Sequence, residues 1–271
     1  MRWKDRRQSV NVVDRRGAGG TIGIGGLIIG ALVYYFMGGN PNDYVAQNAG
    51  NKQQQQVKPT DDNGRKFAAV ILADTEDVWN DVFKTNGIIY QEPRLVLFTN
   101  LVQSSCGRAK SAVGPFYCPQ DQQVYLDLGF FDQLSKSLAA EGDFAVAYVI
   151  AHEVGHHVQN LLGVEASFLE KQSIAGPRER NSLSIKMELQ ADCLAGVWAK
   201  LTDQEKNILE EGDIEEALNA ASAVGDDRLQ KAGGREVVPD SFTHGTSAQR
   251  VDAFKTGYRS GQTKDCLNTY K

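Results

Sequence analysis

The sequence predicts an α+β fold that is mostly helical, with a small sheet, behind one N-terminal membrane helix. Three observations predict it. Residues 143–258 hold long segments with the apolar periodicity of helices, two short strand-like segments precede them, and one uncharged run lies near the N-terminus. The composition, with 41% hydrophobic and 8% aromatic residues, is that of a globular protein rather than a disordered one.

The N-terminal tip is basic, although the 271-residue chain as a whole has a net charge of −5. Residues 1–16 hold six Lys or Arg and two Asp or Glu, which leaves −9 on the remaining residues. Domains that bind nucleic acids need clustered cations on their folded part. We therefore expect no nucleic-acid partner.

The longest uncharged run extends from Gly17 to Asn42, and its apolar part reads TIGIGGLIIGALVYYFM. Its length suits a spanning helix, and the cations before it place the N-terminus in the cytoplasm. No A-x-A-like site follows Met37, which favours an uncleaved anchor over a signal peptide. A buried core helix is disfavoured by the length of the uncharged run and by the low-complexity segment that follows it. The sequence therefore predicts a basic cytoplasmic tail (1–16), a single-pass inner-membrane helix (17–39) and a periplasmic or otherwise extracytoplasmic body.

Residues 40–66, with many Asn and Asp and the run Gln53–Gln56, are typical of a flexible linker. The body, residues 67–271, fits one domain by length. Its oligomeric state is not indicated. The predicted elements of this body, in order, are a helix at 67–83, strands at 94–100 and 123–128, and helices at 130–140, 143–163, 181–200 and 247–258. Thr202 with Glu205, and Asp213 with Glu216, predict two more helix starts.

All four cysteines lie beyond the predicted anchor. An even number in an oxidising compartment indicates two disulfides, and four cysteines allow three connectivities. Proximity in sequence favours Cys106–Cys118, which leaves Cys193 to pair with Cys266. Free buried thiols are the alternative.

Three of the four histidines lie in the segment HEVGHH, residues 152–157. His152 and His156 are one helical turn apart and project from one face, which suits two ligands of a tetrahedral zinc ion. Glu153 can reach a water in the open fourth position as general base. A chance match on an amphipathic helix is the alternative, so a third ligand decides between the two interpretations.

Glu188 and Asp192 are the candidates, again one turn apart, on a helix that is otherwise apolar. Unpaired carboxylates there are costly, although a solvated acidic face is the alternative interpretation. Two antiparallel helices would bring Glu188 to the metal and Asp192 to the second ring nitrogen of a ligand histidine. The sequence thus predicts one Zn²⁺ per chain.

HEVGHH followed by ELQADCLAG, behind a basic N-terminus and a membrane helix, resembles the bacterial neutral zinc metallopeptidase family. The similarity extends over nearly the whole chain, including KDRRQSVNVVDRRG and SFTHGTSAQRVDAF. The resemblance implies a zincin-like domain of gluzincin type that acts on proteins or peptides. Its site would have His152, His156 and Glu188 on zinc and Glu153 as the base.

The resemblance to membrane-associated gluzincins also directs attention to a His and an Arg near the C-terminus. Peptide hydrolysis needs a donor for the developing oxyanion besides the metal. We expect His244 or Arg250 to supply it, and a structural or surface pair is the alternative. His157 points away from the ligand stripe and is expected either to support a metal ligand by a hydrogen bond or to be structural.

The sequence therefore predicts a membrane-anchored zinc peptidase that hydrolyses peptide bonds outside the inner membrane. The strand Gln123–Leu128 is either an edge strand that binds an extended substrate or an ordinary core strand. A non-catalytic zinc-binding envelope scaffold is disfavoured by Glu153, since metal binding alone needs no base. A zinc hydrolase of a non-peptide amide or ester is not excluded.

Overall fold

A computed structural model of the chain describes residues 1–16, 62–111, 114–130, 141–234 and 236–270. Within these ranges the fold is α+β and mostly helical, as the sequence predicts. The strands are β1 (Val12–Asp14), β2 (Arg94–Phe98), β3 (Leu101–Ser104), β4 (Gly107–Lys110), β5 (Phe116–Cys118) and β6 (Gln123–Asp127). The α-helices are α1 (Asp62–Thr85), α2 (Asp143–Leu161), α3 (Val164–Ile174), α4 (Pro177–Lys206), α5 (Asp213–Ala223), α6 (Asp226–Ala232), α7 (Ser247–Ser260) and α8 (Thr263–Thr269), with a 3-10 turn at Pro239–Ser241.

Four strands form one sheet in the order β1-β2-β6-β5. The first three are parallel, with Val12 opposite Leu95 and Leu95 opposite Val124, and β5 pairs antiparallel with β6. Parallel neighbours need a long crossover, and α1 lies in the connection between β1 and β2. Strand β6 therefore lies inside the sheet, and its interpretation as an edge strand is wrong; β5 forms that edge.

Both predicted disulfides are present in the structure. Cys106, in the turn of the β3–β4 hairpin, pairs with Cys118 at the end of β5. Cys193 on α4 pairs with Cys266 on α8, which ties the C-terminal helix to the centre of the fold. The alternative of free thiols is wrong, and the pairing favoured by sequence proximity is confirmed.

Helix α2 lies at the centre, packed against α1, α4 and α5, while α7 packs along α4. Two glycines permit close approaches of other helices to α4. A Cβ atom on Gly155 would lie 3.0 Å from the carbonyl oxygen of Ala191, and one on Gly257 would lie 1.8 Å from that of Cys193. Because both contacts involve α4, these glycines bring α2 and α7 against the same part of that helix.

Residues 1–16 are part of this domain, which differs from the expected separate tail. Strand β1 extends the sheet, Arg6 pairs with the buried Asp74, and Arg7 lies 3.0 Å from Glu76 and 2.6 Å from Asp77. Two of the cations that the sequence analysis used as a topology signal, Arg6 and Arg7, therefore neutralise an acidic stretch of α1.

The predicted membrane helix (17–39) and most of the predicted linker (40–61) lie outside the described residues, as does nearly all of the helix expected at 130–140. The end of the expected linker, 62–66, belongs instead to α1. Among the helices of the described ranges, none combines the length and apolar character that a membrane crossing requires.

Candidate metal centre

Helix α2 positions the HEVGHH segment in the middle of the protein. Its first three turns are almost entirely apolar, so the helix is buried on most sides, and it carries His152 and Glu153 into the interior with it. The rings of His152 and His156 face each other edge to face, with centroids 4.8 Å apart. Helical spacing and burial together therefore present both rings on one side of α2.

Helix α4 brings Glu188 to these rings. The Nε2 atom of His152 lies 3.2 Å from one carboxylate oxygen of Glu188, and that of His156 lies 3.6 Å from the other. One ligand atom from each of the three residues lies within 4.8 Å of the others, so the three can hold one metal ion. The close contact at Gly155 sets the separation of the two helices that makes this possible.

Asp192, one turn after Glu188, lies on the far side of His152. Its Oδ1 atom lies 2.8 Å from Nδ1 of His152 and also accepts a hydrogen bond from the hydroxyl of Tyr148. Arg250 of α7 donates to both carboxylate oxygens, from Nε at 2.8 Å and from Nη2 at 2.9 Å. Asp192 is fully buried, and Arg250 supplies the charge that compensates it.

A different group orients His156. Its Nδ1 atom lies 2.8 Å from Oε1 of Gln159, and the amide nitrogen of Gln159 donates to the carbonyl oxygen of Met187 at 2.8 Å. His152 and His156 thus each have an oxygen acceptor beside Nδ1, the ring nitrogen that faces away from Glu188.

These outer partners determine where the ring protons are. A carboxylate and an amide oxygen only accept, so His152 and His156 donate from Nδ1, and in the neutral ring the lone pair is on Nε2. Both Nε2 atoms face the carboxylate of Glu188. A positive charge between these groups, either a proton on Nε2 or a metal ion, lets them lie together, and two imidazoles with one carboxylate are a donor set that zinc accepts.

The electrostatics of the buried groups agree with this interpretation. Burial lowers the pKa of His152, but Asp192 and Glu188 outweigh burial and raise it to about 10. Burial opposes the charged form of Glu188, yet His156 and His152 hold its pKa well below the ordinary value. The site therefore favours positive charge beside a carboxylate that stays ionised.

Glu153 is buried next to the two histidines. Burial raises its pKa above the ordinary value, and His152 and His156 offset that effect only in part. A carboxylate whose pKa is raised is a better proton acceptor, which suits a general base.

The structure places the two residues predicted as oxyanion donors in different surroundings. Arg250 is buried and its guanidinium is engaged by Asp192, with Nη2 3.4 Å from the ring nitrogens of His152. His244 lies in the loop before α7; its side chain is 50% exposed and its Nδ1 lies 3.2 Å from Asp226. Arg250 is thus part of the buried network, and His244 is held by a surface carboxylate.

Sequence reasoning did not identify Gln159 or Tyr148. Gln159 follows His156 by three residues and Tyr148 precedes His152 by four, so both share the histidine face of α2. Their helical spacing from the two histidines is the sequence signal that points to these residues. His157, in contrast, is structural: it lies 3.0 Å from the hydroxyl of Tyr117 on β5 and 2.6 Å from the carbonyl oxygen of Gln91.

Comparison with known proteins gives one family and several relatives. The family described as putative neutral zinc metallopeptidase matches residues 1–270. The chain is 47% identical over 285 residues to the uncharacterized protein YpfJ of Escherichia coli strain K12, across 100% of this chain and 99% of that protein. It is 42% identical over 187 residues to the uncharacterized protein Rv2575 of Mycobacterium tuberculosis strain H37Rv, across 65% of this chain and 62% of that protein. No solved structure matches significantly.

Proposed function

Because the chain belongs to the putative neutral zinc metallopeptidase family, we propose that it is a zinc-dependent peptidase. In this proposal His152, His156 and Glu188 hold one zinc ion per chain, and Glu153 is the general base. The observation that carries it is the convergence of the Nε2 atoms of His152 and His156 on the carboxylate of Glu188. A zinc ion at this point would bind both nitrogens and the carboxylate in place of a proton.

When bound, a zinc ion supplies a Lewis acid that polarises a carbonyl and lowers the pKa of water to around 7. Glu153 accepts the proton of the attacking water and passes it to the amine that leaves. Its burial keeps bulk water away from that proton and raises the pKa of its carboxylate toward the working range of a base. Asp192 and Gln159 keep the two rings in the required tautomer.

The substrate proposed is an extended protein or peptide segment. Strand β5 is short and pairs with β6 on one side only, and Tyr117 links it to His157 in the HEVGHH segment. A sheet edge beside the catalytic helix offers main-chain hydrogen bonds to an extended chain. Two disulfides support placing the domain on the oxidising side of the membrane.

Zinc content and hydrolysis, measured on the same full-length variants, test the proposal. Wild type should hold about one zinc per chain and cleave an unfolded protein. Glu153→Gln should keep the metal and lose hydrolysis by about 10²-fold or more, because only the proton acceptor is removed. Glu188→Ala should lose the metal. Glu179→Gln, at an exposed carboxylate of α4, is the matched control and should retain both properties.

Three outcomes separate the alternatives. Zinc binding without cleavage of any peptide in a broad library would support the envelope-scaffold function. Cleavage of small amides or esters but not of peptides would support a non-peptide hydrolase. Unchanged zinc affinity in Glu188→Ala would show that the third ligand is a different residue.

A further inference from the structure

Gln159 is a fully buried amide on α2, one turn after His156. Its Oε1 atom lies 2.8 Å from Nδ1 of His156, and its Nε2 atom donates to the carbonyl oxygen of Met187 at 2.8 Å and to Oε1 of Gln190 at 2.9 Å. Every described bond of this amide therefore leads either to a histidine of the metal centre or to α4.

The orientation of the amide follows from its surroundings. A backbone carbonyl oxygen only accepts hydrogen bonds, so the amide nitrogen of Gln159 must face Met187. The amide oxygen then has to face His156, whose Nδ1 atom must carry the proton. The lone pair on Nε2 of His156 is left directed toward Glu188, at 3.6 Å from its carboxylate. A main-chain group on α4 thus determines the tautomer of a histidine on α2.

Gln159 differs from the group that orients the other histidine. Asp192 is charged, needs Arg250 as its counter-ion and reaches His152 from α4, the helix that also carries Glu188. Gln159 is neutral, needs no counter-ion and lies on the same helix as the histidine that it orients. Its acceptor on α4, Met187, immediately precedes Glu188. One side chain therefore contacts both the ring of one candidate ligand and the main chain next to another.

We propose that Gln159 is a positioning residue of the metal centre, which fixes the tautomer of His156 and the placement of Glu188 through one amide. The inference rests on the proposed zinc site and assigns no contact between Gln159 and the metal. Loss of a group that orients a ligand typically costs 10- to 100-fold in metal affinity.

The test compares zinc affinity and ligand geometry in Gln159→Met, made in the full-length chain. Methionine keeps the length of the side chain but removes all three hydrogen bonds. We expect zinc affinity, measured by competition with a chromophoric chelator, to fall by about 10- to 100-fold. The absorption spectrum of the Co²⁺-loaded protein should also change, because it reports the geometry of the ligands.

Gln172→Met is the matched control. Gln172 is a partly buried glutamine that likewise bridges two helices, since its amide on α3 donates to Ser184 of α4 at 3.0 Å. It contacts none of the proposed ligands in the described structure. Its substitution should leave zinc affinity and the Co²⁺ spectrum unchanged, although both variants lose a helix-bridging amide.

Gln159→Glu separates the two parts of the role. A carboxylate still accepts from Nδ1 of His156 but cannot donate to Met187. We expect zinc affinity between those of wild type and Gln159→Met, and this variant decides the question if the methionine variant does not fold. Wild-type affinity and spectrum in both Gln159 variants would overturn the inference while the zinc site stands. A wild-type chain that binds no zinc would overturn the proposed function itself.

Discussion

Arg250 and Asp192 form a buried ion pair directly behind His152. Arg250 donates hydrogen bonds to both oxygens of the carboxylate of Asp192. Burial alone would raise the pKa of Asp192, but its charged neighbours lower it to about 2. The arginine therefore acts through Asp192, which keeps its charge and holds the ring of His152. Sequence reasoning placed Arg250 near the chemistry, and its Nη2 atom also lies 3.8 Å from a carboxylate oxygen of Glu188.

Arg250→Ala should be severely destabilising. Removal of one partner of a buried pair leaves the other as an uncompensated charge, which costs about 3–5 kcal/mol in free energy of unfolding. Arg178→Ala removes a similarly short ion pair, the one between Arg178 and Asp240. Because the side chain of Arg178 is 83% exposed, this substitution should lower the free energy of unfolding by less than about 1 kcal/mol. Urea unfolding of the zinc-free proteins measures both values. Equal losses in the two variants would contradict the assigned role of Arg250.

The candidate site was predictable where chemistry and spacing coincide. His152, Glu153 and His156 form a pentapeptide whose geometry follows from helical spacing alone, and Glu188 with Asp192 repeats that spacing on an apolar helix. Gln159 and Tyr148 were not predictable, because an amide or a phenol on a buried helix face is most often an ordinary core residue. Their role depends on what α4 places opposite them.

Helices α2 and α4 show how element boundaries depend on their neighbours. Thr202 was expected to begin a new helix, but its hydroxyl donates to the carbonyl oxygen of Trp198 and α4 continues to Lys206. Glu216 was expected to help cap its own helix, but it accepts the N–H of Phe144 and satisfies the first turn of α2 instead. In both sequence patterns the side chain has two possible hydrogen-bond partners, and the tertiary packing determines which of them it binds.

His157 connects α2 to β5 and to the segment before β2, and it should make stability depend on pH. Burial lowers its pKa to about 4, although the carbonyl oxygen of Gln91 favours the charged form. The unfolded chain binds a proton below about pH 6.5, whereas the folded protein resists protonation until about pH 4. The effect of His157 therefore leaves the free energy of unfolding at its full value above about pH 6.5. As the pH falls from 6.5 to 4, that free energy decreases by about 3 kcal/mol at most.

His157→Gln isolates that contribution, because glutamine can bond to both Tyr117 and Gln91 but does not titrate. The free energy of unfolding of wild type and variant, measured with a chelator present, should differ by a value that changes between pH 7 and pH 4.5. Wild type should lose more stability on acidification than the variant does. A difference that is the same at both pH values would show that His157 is not held neutral.

At the scale of the whole molecule, the residues on both sides of the uncharged run that sequence analysis identified as a membrane anchor belong to one folded domain. Strand β1 pairs with β2, and Ser9 and Asn11 bond to the buried Glu76 of α1. The positive-inside rule compares cations only with the apolar run beside them. It could not indicate that Arg6 and Arg7 have acidic partners more than 60 residues later, since that pairing is visible only in the folded sheet.

One crossing of a membrane between residues 16 and 62 would separate two strands of the same sheet. Residues 1–16 and the body should therefore lie in the same compartment, which the disulfides favour as the oxidising one. Val10→Cys and Ile174→Cys form a matched pair for this test, since these side chains belong to residues that are 95% and 89% exposed. In spheroplasts, a membrane-impermeant maleimide should label both to the same extent before lysis.

The two ways in which labelling can differ have separate meanings. Labelling of both cysteines only after lysis would keep β1 in the sheet but place the whole domain in the cytoplasm, where the two disulfides are not expected. Protection of Val10→Cys while Ile174→Cys reacts would mean that residues 1–16 leave the sheet and stay across the membrane. In that case β2 would lose its parallel neighbour and expose the row of N–H and C=O groups that β1 now satisfies. The same-side arrangement keeps these groups of β2 paired with β1, and we therefore expect equal labelling.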